Sequence, residues 1–243
     1  MTTLEQLQSL CSKTYTSEEG EVYAMVLKPG LNEEQIKSLT NHLPTGEIPH
    51  DINELLKYTG GFEFYGLDDI TFDGIGLLGF EELFPYSVQL AGDGFGNFWI
   101  LDINKKGQWG HVFFVCHDPA VVVKQSENLA QFIQHIDEFG ALGSQSTLDI
   151  IHEKTVMEIW EKDHELIPLE TAKNAKDHEL KTFALSLPDH YVIADLRNQD
   201  NQKGFAWGKY GADLQKTIRH DTELLWGIEK KVKKSFLSKL LGR

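Results

Sequence analysis

The sequence predicts an α+β fold, an antiparallel-rich sheet with helices packed on one side, followed by a smaller C-terminal α+β extension. Three observations carry this. Phe98-Trp99-Ile100-Leu101-Asp102-Ile103 and His111-Val112-Phe113-Phe114-Val115-Cys116 are aromatic and β-branched runs joined by a glycine-containing loop, as expected of an antiparallel pair in a sheet core. Leu129, Phe132, Ile133 and Ile136 then recur with helical period, giving an amphipathic helix that can cover one sheet face. Charge also steps along the chain: residues 1–140 hold 21 acids and 7 bases, whereas 141–243 hold 16 of each. Such a step suggests a boundary, and Gly140-Ala141-Leu142-Gly143-Ser144-Gln145-Ser146 is the expected linker between units 1–140 and 146–243.

The elements follow in order. Leu4, Leu7 and Cys11 share a helical face, with Thr3 and Gln6 as an expected capping box. A second helix starts at Asn32, with Gln35 at N3, Leu31 stapled onto Ile36, and the stripe continuing through Leu39 and Leu43. A third follows Pro49, buries Ile52, Leu55 and Leu56, and is expected to stop on Gly60-Gly61 as a glycine cap. Phe62, Phe64 and Tyr65 begin one expected strand, and Ile75 to Phe80 form another. After the linker, a helix near Ser146 carries Leu148, Ile151, Ile159 and Trp160 inward. Strands are expected at Phe183 to Leu187, Tyr191 to Leu196 and Phe205 to Trp207, and a long helix from Asp213.

Composition excludes several classes. The 243 residues are 41% hydrophobic with a net charge of -14, which argues against a nucleic-acid binder and for a globular chain. No run approaches the length of a membrane span, and the N-terminus lacks a signal peptide's basic and apolar regions. With two cysteines, Cys11 and Cys116, expected as buried free thiols, a cytoplasmic protein is expected.

No motif announces chemistry. The ten histidines make no HExxH or Cys/His zinc pattern, and no P-loop or Gly-x-Ser-x-Gly elbow occurs. Gly92-Asp93-Gly94-Phe95-Gly96-Asn97 precedes a strand instead of a helix, so Gly92, Gly94, Gly96 and Asn97 read as a structural turn, not a phosphate loop. Asp68, Asp69, Asp73 and Asp93 lack the spacing of a calcium loop. Cys116 and His117 point to opposite strand faces and are no nucleophile–base pair. No cofactor or metal is expected.

One resemblance stands out. Leu43-Pro44, the helix ending in Gly60-Gly61, Leu78-Gly79-Phe80-Glu81-Glu82-Leu83, the Gly92–Asn97 turn running into Phe98–Ile103, the Val112–Cys116 strand and Leu129-Ala130-Gln131-Phe132-Ile133 together resemble the SUKH superfamily over roughly residues 30–140. That group includes the Smi and Knr cell-wall assembly regulators of fungi and bacterial immunity proteins that neutralise polymorphic toxins. Members often carry Asn before the glycine pair, where Thr59 stands here. The family has no established catalytic residues, so the resemblance implies an α+β binding fold and no enzyme.

Under that resemblance the acidic excess reads as steering of a basic partner, such as a nuclease-type toxin domain. The expected partner-binding residues are Asp68, Asp69, Asp73, Glu81, Glu82 and Asp93, with Trp99 and Trp109 as core residues or aromatic anchors. The alternative is a scaffold of the cell-wall-regulator type. A weaker one is an enzyme in the second unit using His190, Asp195 or Arg197. Ile228, Val232, Phe236 and Leu240 suggest a basic amphipathic C-terminal helix, expected to dock on its own domain in preference to a membrane.

Overall fold

The computed structural model describes residues 2–75, 79–162, 166–211 and 213–231. Its centre is a five-stranded antiparallel sheet built from β6 (Ser87–Gly92), β7 (Phe98–Ile103), β8 (Trp109–His117), β9 (Ala120–Ser126) and β12 (Gly204–Phe205), in the order β12-β9-β8-β7-β6. Alternate residues of the apolar runs enter different cores. Val112, Phe114 and Cys116 face one side and Phe113 and Val115 the other; Val121 and Val123 likewise oppose Val122. Burial on both faces explains why these strands are continuously apolar.

Helices cover the first face. They are α1 (Thr3–Cys11), α2 (Glu33–Thr40), α3 (His50–Tyr58) and α4 (Leu129–Leu142), which contribute Leu7, Leu10, Ile36, Leu55, Phe132 and Ile133 to that core. Short strands β1 (Tyr15–Thr16) and β2 (Val22–Tyr23) pair with each other, and β3 (Val26–Leu27), β4 (Gly61–Glu63) and β5 (Ile70–Thr71) form a small sheet. Ser146 accepts from the Asp149 amide, and a π-helical turn, Ile151–Val156, runs into α5 (Met157–Lys162).

The second face meets another sheet. This has β10 (Leu166–Pro168), β11 (Tyr191–Asp195), β13 (Ile218–Arg219) and β14 (Leu225–Glu229), in the order β10-β11-β14-β13. Val192, Ala194, Trp226 and Ile228 pack with Phe84, Phe113 and Val122. On its outer face Ile193 and Leu225 meet α6 (Leu169–Lys173) and α7 (His178–Ser186). The layers are therefore helix, sheet, sheet, helix, and β12 carries the later part of the chain onto the edge of the first sheet.

Several expectations need correction. The first capping box is Thr2 with Glu5, one residue earlier than Thr3 with Gln6, because Thr3 and Gln6 turn inward. Cys11 is exposed; only Cys116 is buried. The cap of α3 is Thr59 in extended conformation. Gly61 is required for another reason: at φ 149° it starts β4 so close to β5 that a Cβ would lie 2.1 Å from the Ile70 carbonyl oxygen. Ile75 makes only an isolated bridge to Val88, Gly79 and Phe80 lie in no strand, and residues 76–78 lie outside the described residues. Strands β6 and β9 were not expected. Residues 183–186 are helical, since Asp177 caps the Leu180 amide at 2.7 Å and Leu180, Phe183 and Ala184 form one buried face. The long helix from Asp213 is absent over 213–231: Asp213 caps a single 3-10 turn, Leu214–Lys216, and Ile228 lies in β14 because Trp226 and Ile228 are needed in the core between the sheets. Val232, Phe236 and Leu240 lie outside the described residues. Between the two expected units, α4 continues through Leu142 and a 3-10 turn spans Gly143–Gln145.

Candidate functional site

The glycine-rich turn between β6 and β7 is held from within. The Asp93 carboxylate accepts from the amides of Phe95 at 2.9 Å and Asn97 at 3.1 Å, and from Asn97 Nδ2 at 2.6 Å. Asn97 Oδ1 in turn accepts from the His117 amide at 3.1 Å and lies 2.8 Å from His117 Nδ1, tying the turn to the end of β8. Gly94 and Gly96 take φ of 76° and 88°, which glycine adopts without strain. Gly92 ends β6 beside the Asp68 carboxylate. The result is a rigid tip on which Phe95 is 82% exposed.

Beside the tip lies a hollow of about 420 Å³. Trp99 and Phe114, both buried, form its base; Phe139 of α4 contributes a wall. Asp68 and Asp93 enter from the first part of the chain, and Asp149 and Glu153 from the segment after α4. The π-helical turn contributes Ile151, His152 and Glu153, a feature that recurs at functional sites. Two shallower hollows adjoin through shared Gly66. One adds Glu18, Glu19 and Tyr65, the other Glu63, Asp69 and Val26. Tyr65 donates its hydroxyl to Glu19 at 2.8 Å and stays half exposed.

Among the described residues Asp68, Asp149, Glu153 and Glu18 have no ion-pair partner, whereas Asp69 pairs with Lys28 at 2.9 Å. The Asp149 carboxyl is raised above its ordinary range, first by burial and then by the negative charges of Glu153 and Glu18. A cation arriving here would relieve that repulsion.

The expected site residues thus separate. Asp68 and Asp93 come together at the hollow and Asp69 lies next to it. Asp73 is exposed just after β5, outside the hollow. Glu81 and Glu82 sit on the turn whose Phe80, Leu83 and Phe84 enter the core between the sheets. Trp99 is 4% exposed, so its place is the base of the hollow and not an anchor. Trp109 opens β8, half-buried against the first core. Phe95, Asp149 and Glu153 were missed. An aromatic among turn glycines was a visible signal for Phe95, but nothing local brings the segment after α4 to Asp68.

The groups weighed for catalysis are not assembled. His190 precedes β11 and lies 3.4 Å from Glu229, while Asp195 ends that strand, gripped by Arg197 at 2.9 and 2.6 Å. Arg197 also pairs with Asp177 at 3.0 Å. Burial pushes the Cys116 thiol up to about 11, far from a nucleophile's range. Among the described residues no group of three His, Cys, Asp or Glu is placed to hold a metal, and no helix is long and apolar enough to cross a membrane.

No curated protein and no solved structure matches the chain. A family model does: residues 30–135 match the SMI1 / KNR4 family (SUKH-1). The match runs from just before α2 into α4 and so covers the turn, β6 to β9 and Asp68, but not Asp149 or Glu153. Over residues 30–135, less than half of its length, the chain is thus similar to the SMI1 / KNR4 family (SUKH-1) of the SUKH superfamily.

Proposed function

We propose that the chain is a non-enzymatic binding protein, an immunity protein whose acidic face captures a basic toxin domain and covers its active site. The observation that carries this is the convergence of acids from segments far apart in sequence, Asp68, Asp93, Asp149 and Glu153 at one hollow and Glu18 beside Asp149 at the adjoining one, without a described cation among them. Holding like charges together opposes folding unless something offsets it, and a basic surface supplies that offset while speeding encounter. A nuclease-type toxin fits because it must itself bind phosphate. Nothing in the proposal requires a cofactor, direct nucleic-acid contact or a membrane. A cytoplasmic location and a division into units 1–140 and 146–243 go with it.

The test is affinity capture from native lysate at low salt, with stepped salt elution, followed by growth rescue from the captured toxin. A basic partner released as salt rises supports the proposal; affinity indifferent to salt removes its electrostatic basis. The second reading is a scaffold of the cell-wall-regulator type, favoured by the family that the domain matches. Capture of wall-synthesis or signalling proteins in place of a toxin would select it.

A further inference from the structure

Phe95 is the most exposed of the large apolar side chains described, ahead of Val22 at 73%. Nothing in the turn needs a phenylalanine there. Asp93 and Asn97 supply its hydrogen bonds and Gly94 and Gly96 its backbone angles, so the ring adds no contact to the core. The Asp93, Asn97 and His117 hydrogen bonds also pre-organise the tip, and a rigid aromatic loses little entropy on insertion. Directly beside it stand the acids of the hollow, which have no ion-pair partner among the described residues.

We infer that Phe95 is the anchor of the interface: its ring inserts into an apolar pocket on a protein partner whose pocket rim is basic, the cations meeting Asp68, Asp149 and Glu153. This rests on the reading that the acidic face is the binding face. Charge complementarity selects the occupant. A second copy of this chain, at a net charge of -14, would bring acids against acids, and an anionic membrane would do the same.

The test places a photo-crosslinking benzoyl-phenylalanine at position 95 of the full chain, in native lysate at low salt. Position 185 serves as the control, because Leu185 is 63% exposed on α7. The expected result is one adduct specific to position 95, with the cross-linked peptide mapping to an apolar pocket flanked by Lys or Arg. Phe95→Ala should then weaken that purified partner by about 30-fold or more, through faster dissociation, with the unfolding midpoint unchanged. Asp149→Lys with Glu153→Lys should instead slow association. Equal labelling from both positions, no adduct at 95, or Phe95→Ala binding within threefold of the parent overturns the anchor. If the anchor fails while the charge reversals still slow association, the acidic face stands without it; if neither change matters, both readings fall.

Discussion

Arg219 of β13 and Asp102 of β7 form an ion pair at 3.1 Å, with side chains only 5% and 6% exposed. It joins the outer sheet to the matched domain, and the guanidinium also lies 4.3 Å from the centre of the Trp226 ring. Burial pushes the Asp102 carboxyl above its ordinary range, against the downward pull of Arg219. Arg219→Met strands that carboxylate and should cost roughly 3–5 kcal/mol, read from the urea midpoint. An acid whose folded pKa is raised contributes fully below its unfolded value and loses stability as pH rises through the folded one. The Arg219→Met deficit should therefore shrink toward low pH. Adding Asp102→Leu should recover most of it, and a double variant no better than the single would refute this account.

Trp226 tests whether the two sheets unfold together. Its indole donates to the Leu83 carbonyl at 2.8 Å, and its ring meets Phe84, Phe113 and Phe205. Trp226→Ala should cost roughly 3–5 kcal/mol. If the shared core couples the sheets, calorimetry will show one transition at lower temperature; two separated transitions would mean independent units.

Thr59 stands where the resemblance led one to expect Asn before the glycine pair, and its hydroxyl is buried. It donates to the Lys28 carbonyl at 2.9 Å and accepts from the Gly61 amide at 3.1 Å. Thr59→Val keeps the shape and leaves both unsatisfied, a loss of roughly 1–3 kcal/mol. Thr59→Asn should restore part of that in chemical denaturation, and an Asn variant as weak as Val would count against a side-chain bridge between Lys28 and Gly61.

Acid should weaken the fold below neutrality. Burial is the leading cause lowering His111, His135 and His220 below the ordinary 6.5. A histidine depressed in the folded state favours folding fully above its unfolded pKa and loses that as pH falls below about 6.5. His135 Nδ1 lies 3.1 Å from both Gln125 Nε2 and Ser126 Oγ, an acceptor role that protonation abolishes. Urea midpoints should fall between pH 7 and 5, and His135→Asn should flatten that slope whatever its effect at pH 7.

The thiols should react unequally. Cys11 is exposed, whereas Cys116 is buried with its thiol held up near 11. Ellman's reagent should titrate one fast thiol in the native chain and two after denaturation, with Cys11→Ser removing the fast one.

Much of the matched domain was legible in residue order. The Asn32–Gln35 cap, the inward face of α3, the β7–β8 pair and α4 are local patterns, and each formed because its apolar period matches its backbone period. β9 escaped notice although Val121, Val122 and Val123 are adjacent, since a run buried on both faces does not alternate. The helix at 183–186 and the strand at 225–229 were exchanged for the opposite type because short apolar runs read either way, and partners decided them: α7 lies on the outer sheet, and β14 must pair with β11.

What residue order determined, then, was the kind of molecule: an acidic α+β chain with a SUKH-like stretch over residues 30–135 and a glycine turn before an apolar strand. The tertiary structure alone decided which acids belong together. Glu18, Asp68, Asp149 and Glu153 are brought around shared hollows by α4 and the π-helical turn, while Glu81 and Glu82 lie on the turn that feeds the core between the sheets. The reason is physical: local patterns encode which face is buried, but the neighbours of an exposed charge are set by the long-range packing of apolar residues elsewhere in the chain.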